Sequence, residues 1–182
     1  MSLQFLQQKL PEVKAWIGRT LATHAARARP VADLGFTRLG SYYSAGLLAS
    51  ASVIPVAKVP APPLASMGLA GFGEFENLDA AGITYLNSFF VRHGYERDES
   101  LHFHELVHVV QWQHLGPERF IKAYALGHLL CGGYRTNPLE VMAYVLQACF
   151  DQQAPGFDVV AVVRVELDRV VPALFARAST GL

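Results

Sequence analysis

The chain is 182 residues long, the size of one domain able to bury most of its apolar surface, and its 15 basic residues balance 15 acidic ones for a formal net charge of zero. With no block of like charge, that balance argues against nucleic acid as the main partner. Two cysteines, Cys131 and Cys149, exclude a disulfide framework and, lacking a C-x-x-C spacing, read as thiols of a reducing compartment.

The first residues, "MSLQFLQQKLPEVKAW", put Gln, Lys, Pro and Glu where a secretory signal needs an unbroken apolar core, so a cytoplasmic location is expected. Leu3, Leu6, Leu10, Val13, Ile17 and Leu21 recur at helical spacing. They predict one amphipathic helix from about Ser2 to Arg29, bent or restarted at Pro11 and ended by Pro30.

The stretch from Tyr42 to Gly73 is nearly free of charge, in a chain that is 52% hydrophobic, which raises a membrane reading. Pro55 interrupts it, Lys58 follows, and Pro60, Pro62 and Pro63 come next, so it falls short of the roughly 20 apolar residues of a transmembrane span. A buried strand and a Pro/Gly loop from Pro60 to Gly73 are expected instead. "SASVIPVAKV" and "AGITYLNSFFV", rich in β-branched and aromatic residues and bounded by Gly and Pro, are the predicted strands.

From Asp98 onward the pattern is helical. Asp98 or Ser100 can cap a helix that Gly116 and Pro117 stop and restart; the second piece runs from Pro117 to about Leu130 and ends in Cys131-Gly132-Gly133. A third helix starts at "NPLE", with Asn137 as N-cap and Pro138 in the first helical position, and reaches Cys149 or Phe150. Asp158 to Ala178 is read as a last helix, its valines leaving a strand open. One domain over 1–182 is expected, with an N-terminal helical segment (1–30) and a metal-binding helical core (98–150).

The chemistry concentrates in "LHFHELVHVVQWQHLGPERF". Residues four apart share a helix face, so His104 and His108 can aim both imidazoles at one point, as two nitrogen ligands of zinc require. Glu105, beside them, is placed to act on a water at the metal, and H-E-x-x-H is the short motif that joins these features. The flanking Leu101, Leu106, Val107, Val109 and Val110 predict a buried helix, where these polar groups need a partner such as a metal; hydrogen bonds within a plain core helix are the alternative.

A catalytic zinc takes a third protein ligand and leaves one position to water. His114 stands at the interval found in H-E-x-x-H-x-x-G-x-x-H enzymes, but Gln111 replaces the helix-breaking glycine. An unbroken helix would carry it about 9 Å past His108 and round to another face. His114 is therefore expected at the surface or behind the ligands, and His102 points elsewhere by the same geometry. Glu140, on the first turn of the helix that begins at "NPLE", is the better third ligand; three residues after Asn137, it also stands where a capping-box glutamate would. Tyr134, in the loop before it, is the first choice of donor to a developing oxyanion.

"HELVHVVQW", "GPERFIKAYA", Tyr134 and "NPLEVMAY" together resemble the gluzincin branch of zinc metallopeptidases, over Leu101 to Tyr144. The resemblance implies one Zn2+ per chain on His104, His108 and Glu140, with Glu105 as general base and a peptide or protein substrate. It also implies an α+β, minimal zincin-like fold. There a small twisted sheet packs on the H-E-x-x-H helix, its edge strand (from "AGITYLNSFFV") borders the cleft, and further helices follow on the C-terminal side. The chain departs from the larger members in being short after Glu140, with too few residues there for the substantial second domain that is expected to form the far wall of the cleft. A different class fits the same residues: a zinc-stabilised or latent binding module whose site is covered by the apolar stretch from Pro60 to Gly73.

Overall fold

The computed structural model describes residues 3–181. Helix α1 (Leu3–His24) buries Leu6, Leu10, Val13 and Ile17, the stripe that the spacing predicted, and continues through Pro11. It ends at His24 rather than Arg29, because Ala25–Arg27 tighten into a 3₁₀ turn and Arg29–Pro30 form a short strand, β1. The expected start at Ser2 lies outside the described residues. Two 3₁₀ turns follow, then α2 (Ala45–Ser50), a six-residue helix capped by Ser44 Oγ, which accepts from the Leu47 amide at 3.2 Å.

Strand β2 (Ser52–Val56) carries Pro55 inside it, which a sheet tolerates only where no donor is missed. Ser52 N donates to Asn87 O and His93 N donates to Val56 O, so the even-numbered residues of β2 bond toward one neighbour and Pro55 faces the other side. On that side β1 pairs only with Ser52 and Val53, and Pro55 lies past its end. The following stretch, 57–81, folds into turns, a 3₁₀ turn at Ala70–Phe72 and the single-turn α3 (Gly73–Glu76), and it buries Leu64, Met67, Leu69 and Phe72.

"AGITYLNSFFV" is a hairpin rather than one strand. Strand β3 (Gly82–Tyr85) turns at Leu86 and Asn87 into β4 (Ser88–Arg92), with Leu86 in the left-handed region at φ 59°. Hydrophobic content alone gave no sign of this turn, because a leucine occupies the position where glycine would normally announce it. The sheet order is β1-β2-β4-β3, with β2 and β4 parallel and the other pairs antiparallel. β3 is therefore an edge strand.

Helix α4 (Glu99–Cys131) is the axis of the molecule. Asp98 caps it, accepting from the Leu101 amide at 3.1 Å, and Gly116 at φ 70°, ψ 164° breaks it into segments 99–115 and 117–131, the stop and restart expected from Gly116-Pro117. Its first segment packs on β3 and β4, while α5 (Pro138–Asp151) and α6 (Val159–Gly181) lie against it as well. Phe103 of α4 stacks on Phe150 of α5 at 4.6 Å, and the Arg38 guanidinium lies over the Phe150 ring, 3.7 Å from its centroid, while donating to the Phe150 carbonyl. The class is α+β, with six α-helices and one mixed four-stranded sheet among the described residues. None of those helices is long and apolar enough to cross a membrane.

The 117–131 segment and α5 meet at Gly127, where an added Cβ would collide with Asn137 Oδ1 and lie 3.1 Å from Pro138 Cδ. Asn137 cannot move aside: it is fully buried, its Oδ1 caps α5 through Leu139 N at 3.2 Å and its Nδ2 donates to Tyr124 O at 3.0 Å. An unconstrained helical Gly→Ala change stabilises by about 1 kcal/mol. Here Gly127→Ala is expected to destabilise by about 1–3 kcal/mol instead, read as a lower denaturation midpoint at unchanged slope.

Candidate metal centre

Helix 99–115 presents His104 and His108 on one face, and α5 brings Glu140 against them, so that the three side chains converge with only 4%, 6% and 3% of their surfaces exposed. His104 Nε2 lies 3.1 Å from His108 Nε2; Glu140 Oε2 is 3.6 Å from the first and Oε1 is 3.5 Å from the second. Glu140 stands at the capping-box position, yet its carboxylate turns inward, leaving the cap to Asn137.

Hydrogen bonds fix the tautomers. Gln111 donates its amide to Leu139 O at 3.0 Å, so its Oε1, 2.8 Å from His108 Nδ1, can only accept. Gln147 donates to Ser100 O and Oγ, and its Oε1 accepts from His104 Nδ1 at 3.0 Å. Both imidazoles therefore carry the proton on Nδ1 and turn Nε2 lone pairs toward one point. Tyr124, on segment 117–131, donates to Glu140 Oε1 at 2.6 Å, whereas the buried Oε2 has no hydrogen-bond partner.

Two lone pairs and a carboxylate oxygen facing one another in an apolar interior repel unless a cation sits among them. Tetrahedral zinc with bonds near 2.0–2.1 Å would hold such donors about 3.3 Å apart. The observed 3.1–3.6 Å spacing, the paired Nδ1 atoms and the unsatisfied Oε2 fit a divalent metal. Without one, a proton is the available cation. Burial pulls the His108 pKa down, but the Glu140 carboxylate beside it outweighs that and the imidazole is raised to about 9. Burial likewise pushes Glu140 up, and the two imidazoles hold it well below the usual carboxylate range.

Glu105 is buried beside the triad, and Thr84 of β3 donates to its Oε2 at 2.6 Å. Burial raises its pKa against the opposing pull of His104 and His108. Gly82, on the same strand, gives the carboxylate its room: a Cβ there would collide with Glu105 Oε1 and lie 2.9 Å from Cδ. Tyr134 borders the same cavity as the triad and Glu105, its hydroxyl 3.3 Å from Tyr144 OH; burial, with Glu140 nearby, raises its pKa so that it stays a donor. The ring of Tyr144 lies 4.6 Å from that of His104.

His114 points away to α6 and pairs with Asp168 at 2.7 Å. His102 packs its ring on Phe36 and Phe89 behind the site. Sequence reasoning passed over Thr84, Gln111, Tyr124 and Gln147. Gln111 had a usable signal, three residues after His108 on the same face, and Gln147 lies two turns after Glu140; Thr84 and Tyr124 arrive from other elements and carry none. No family model, curated protein or solved structure matches the chain.

Elemental analysis of the protein loaded with zinc and desalted is expected to find about one ion per chain, lost in Glu140→Ala and kept in His114→Ala. Tyr124→Phe, which frees Glu140 Oε1, is expected to weaken metal affinity by about 10–100-fold. Because His108 is raised to about 9, above its ordinary 6.5, its protonation stabilises the metal-free fold at neutral pH and this contribution is lost as pH rises through about 9. A metal must displace that proton, so calorimetry in two buffers of different ionisation enthalpy is expected to show about one proton released per ion at pH 7, falling toward zero above pH 10 or so.

Proposed function

We propose that the chain is a zinc-dependent metallopeptidase of gluzincin type, built on a compact zincin-like arrangement of sheet and H-E-x-x-H helix. The observation that carries this reading is the preset donor triad of His104, His108 and Glu140 with Glu105 held beside it by an edge strand. His104, His108 and Glu140 would hold the ion; two imidazoles and a carboxylate suit zinc among the commonly available divalent metals. When bound, zinc supplies Lewis acidity, acidifying a water and polarising a carbonyl oxygen.

The chain's own residues do the rest. Thr84 occupies Glu105 Oε2 and so leaves Oε1 as the basic oxygen. Oε1 takes a proton from the attacking water and returns it to the leaving amine. Burial, by raising the pKa of Glu105, favours holding that proton between the two transfers. The Tyr134 hydroxyl, kept protonated, donates to the oxyanion of the tetrahedral intermediate. On the open side of β3 the Thr84 carbonyl already accepts from Trp112 Nε1 at 3.1 Å, so an extended peptide would pair with the Gly82 end of the strand.

A second reading is favoured by the 3–6% exposure of the triad and Glu105: a metal that ties helices together under a closed cover. A peptide library analysed by mass spectrometry separates the two. The peptidase is expected to cleave, and Glu105→Gln to lose at least about 100-fold in kcat/KM while keeping its zinc. Zinc-loaded wild-type protein that cleaves nothing, or a Glu105→Gln variant near wild-type activity, would overturn the proposed mechanism.

A further inference from the structure

The side chains of the metal centre line a cavity of about 130 Å³ together with residues of α1, α4 and the stretch 57–81. Its remaining wall is apolar, with Leu10, Val13 and Ile17 from α1, Phe72 and Phe75 from the stretch 57–81, and Trp112 one turn beyond His108. Lys9 and His128 also border it, but the Lys9 ammonium pairs with Glu12 at 3.2 Å and the His128 ring packs on Phe72, its Nε2 4.0 Å from Glu74. The groups suited to metal or acid–base chemistry come from α4 and α5, and the rest of the wall is mainly apolar, with the buried, unpartnered His128 Nδ1 as its exception.

The volume bounds the occupant. An apolar cavity of about 150 Å³ stays dry and takes up benzene. A space of 130 Å³ therefore encloses about one aromatic ring or a chain of about six carbons, and a longer chain would extend beyond it. Its continuity with His104, Glu105 and Glu140 means that a molecule engaging the metal through a carbonyl would direct its next substituent into this space.

We infer that the site selects substrates carrying an apolar group, the size of one aromatic ring or a six-carbon chain, next to the carbonyl under attack. The α1 helix and the 57–81 stretch build the specificity wall. This rests on the metallopeptidase reading and adds its substrate class: peptides with an aromatic or large aliphatic side chain beside the scissile amide.

Straight-chain hydroxamates test it, because the head group binds zinc and the tail reports on the cavity. The protein is zinc-loaded Trp16→Phe, which leaves Trp112 as the single tryptophan fluorophore. Affinities for acetohydroxamate, butanohydroxamate, hexanohydroxamate and dodecanohydroxamate are measured by calorimetry, with Trp112 emission followed in parallel. The expected result is a gain of about fourfold per methylene up to hexanohydroxamate, accompanied by a change in Trp112 emission, and no further gain at dodecanohydroxamate. Val13→Phe, with its zinc content and circular dichroism checked, is expected to flatten the series. Equal affinities from acetohydroxamate to hexanohydroxamate would overturn the apolar pocket while leaving the metal centre standing. A rise that continues to dodecanohydroxamate would overturn the size limit. Failure of acetohydroxamate itself to bind would overturn the open metal site, and the substrate inference with it.

Discussion

Two imidazole nitrogens 3.1 Å apart, facing a buried carboxylate, are the constraint around which this molecule is arranged. Each of the three groups would be stabilised by water, and each is held out of it. Leaving them together without a cation would cost several kcal/mol in desolvation and repulsion, a sizeable part of the roughly 5–15 kcal/mol by which a domain is stable. The protein answers on the far side of each group: Gln147 and Gln111 fix the two Nδ1 protons, and Tyr124 fixes one carboxylate oxygen. What those bonds leave unsatisfied points to a single place.

Keeping that place intact requires α4 and α5 to approach closely and in one register. Gly116 breaks α4 so that its second segment can bring Tyr124 toward Glu140, and Gly127 and Ala143, both fully or nearly fully buried, remove the bulk that would hold the helices apart. Asn137 links the two directly, since its side chain caps α5 and bonds the carbonyl of Tyr124. The same residue that starts the helix bearing Glu140 thereby sets the position of the tyrosine that orients Glu140. On the opposite side, Thr84 and the missing side chain at Gly82 tie Glu105 to the edge of the sheet. A helix pair and a hairpin, distant in sequence, are thus fixed to one another through polar contacts of the site.

The legible and the illegible parts of this arrangement differ in range. Local signals were reliable: the i, i+4 spacing of His104 and His108, the cap at Asn137, the break at Gly116 and the helix through Pro138 all depend on neighbours within a few residues. The apolar stripe of α1 was legible for the same reason, although its end was not, because pairing of Arg29 and Pro30 with β2 is a tertiary event that overrides helical propensity. The hairpin at Leu86 hid behind a residue that rarely takes positive φ. For Glu140 the sequence left ligation and capping open, since both place a glutamate on the first turn; only the fold of segment 117–131 turns the carboxylate inward. Thr84 and Tyr124 were invisible because their partners lie across elements.

The far wall of the cavity is built from elements distant in sequence from the metal centre. After α5, helix α6 packs against α4. The wall opposite the metal centre comes instead from the other end of the chain, α1 and the Pro-rich stretch 57–81. At about 24 cal/mol per Å³, leaving a space of 130 Å³ unfilled costs at most about 3 kcal/mol relative to a filled core. Larger side chains at Ala61, Ala80 or Ala125, all on its wall, would take up part of that space. The buried ionisable groups and the apolar side chains of α1 line the same space, which links the polar constraint on α4 to the apolar wall built by α1.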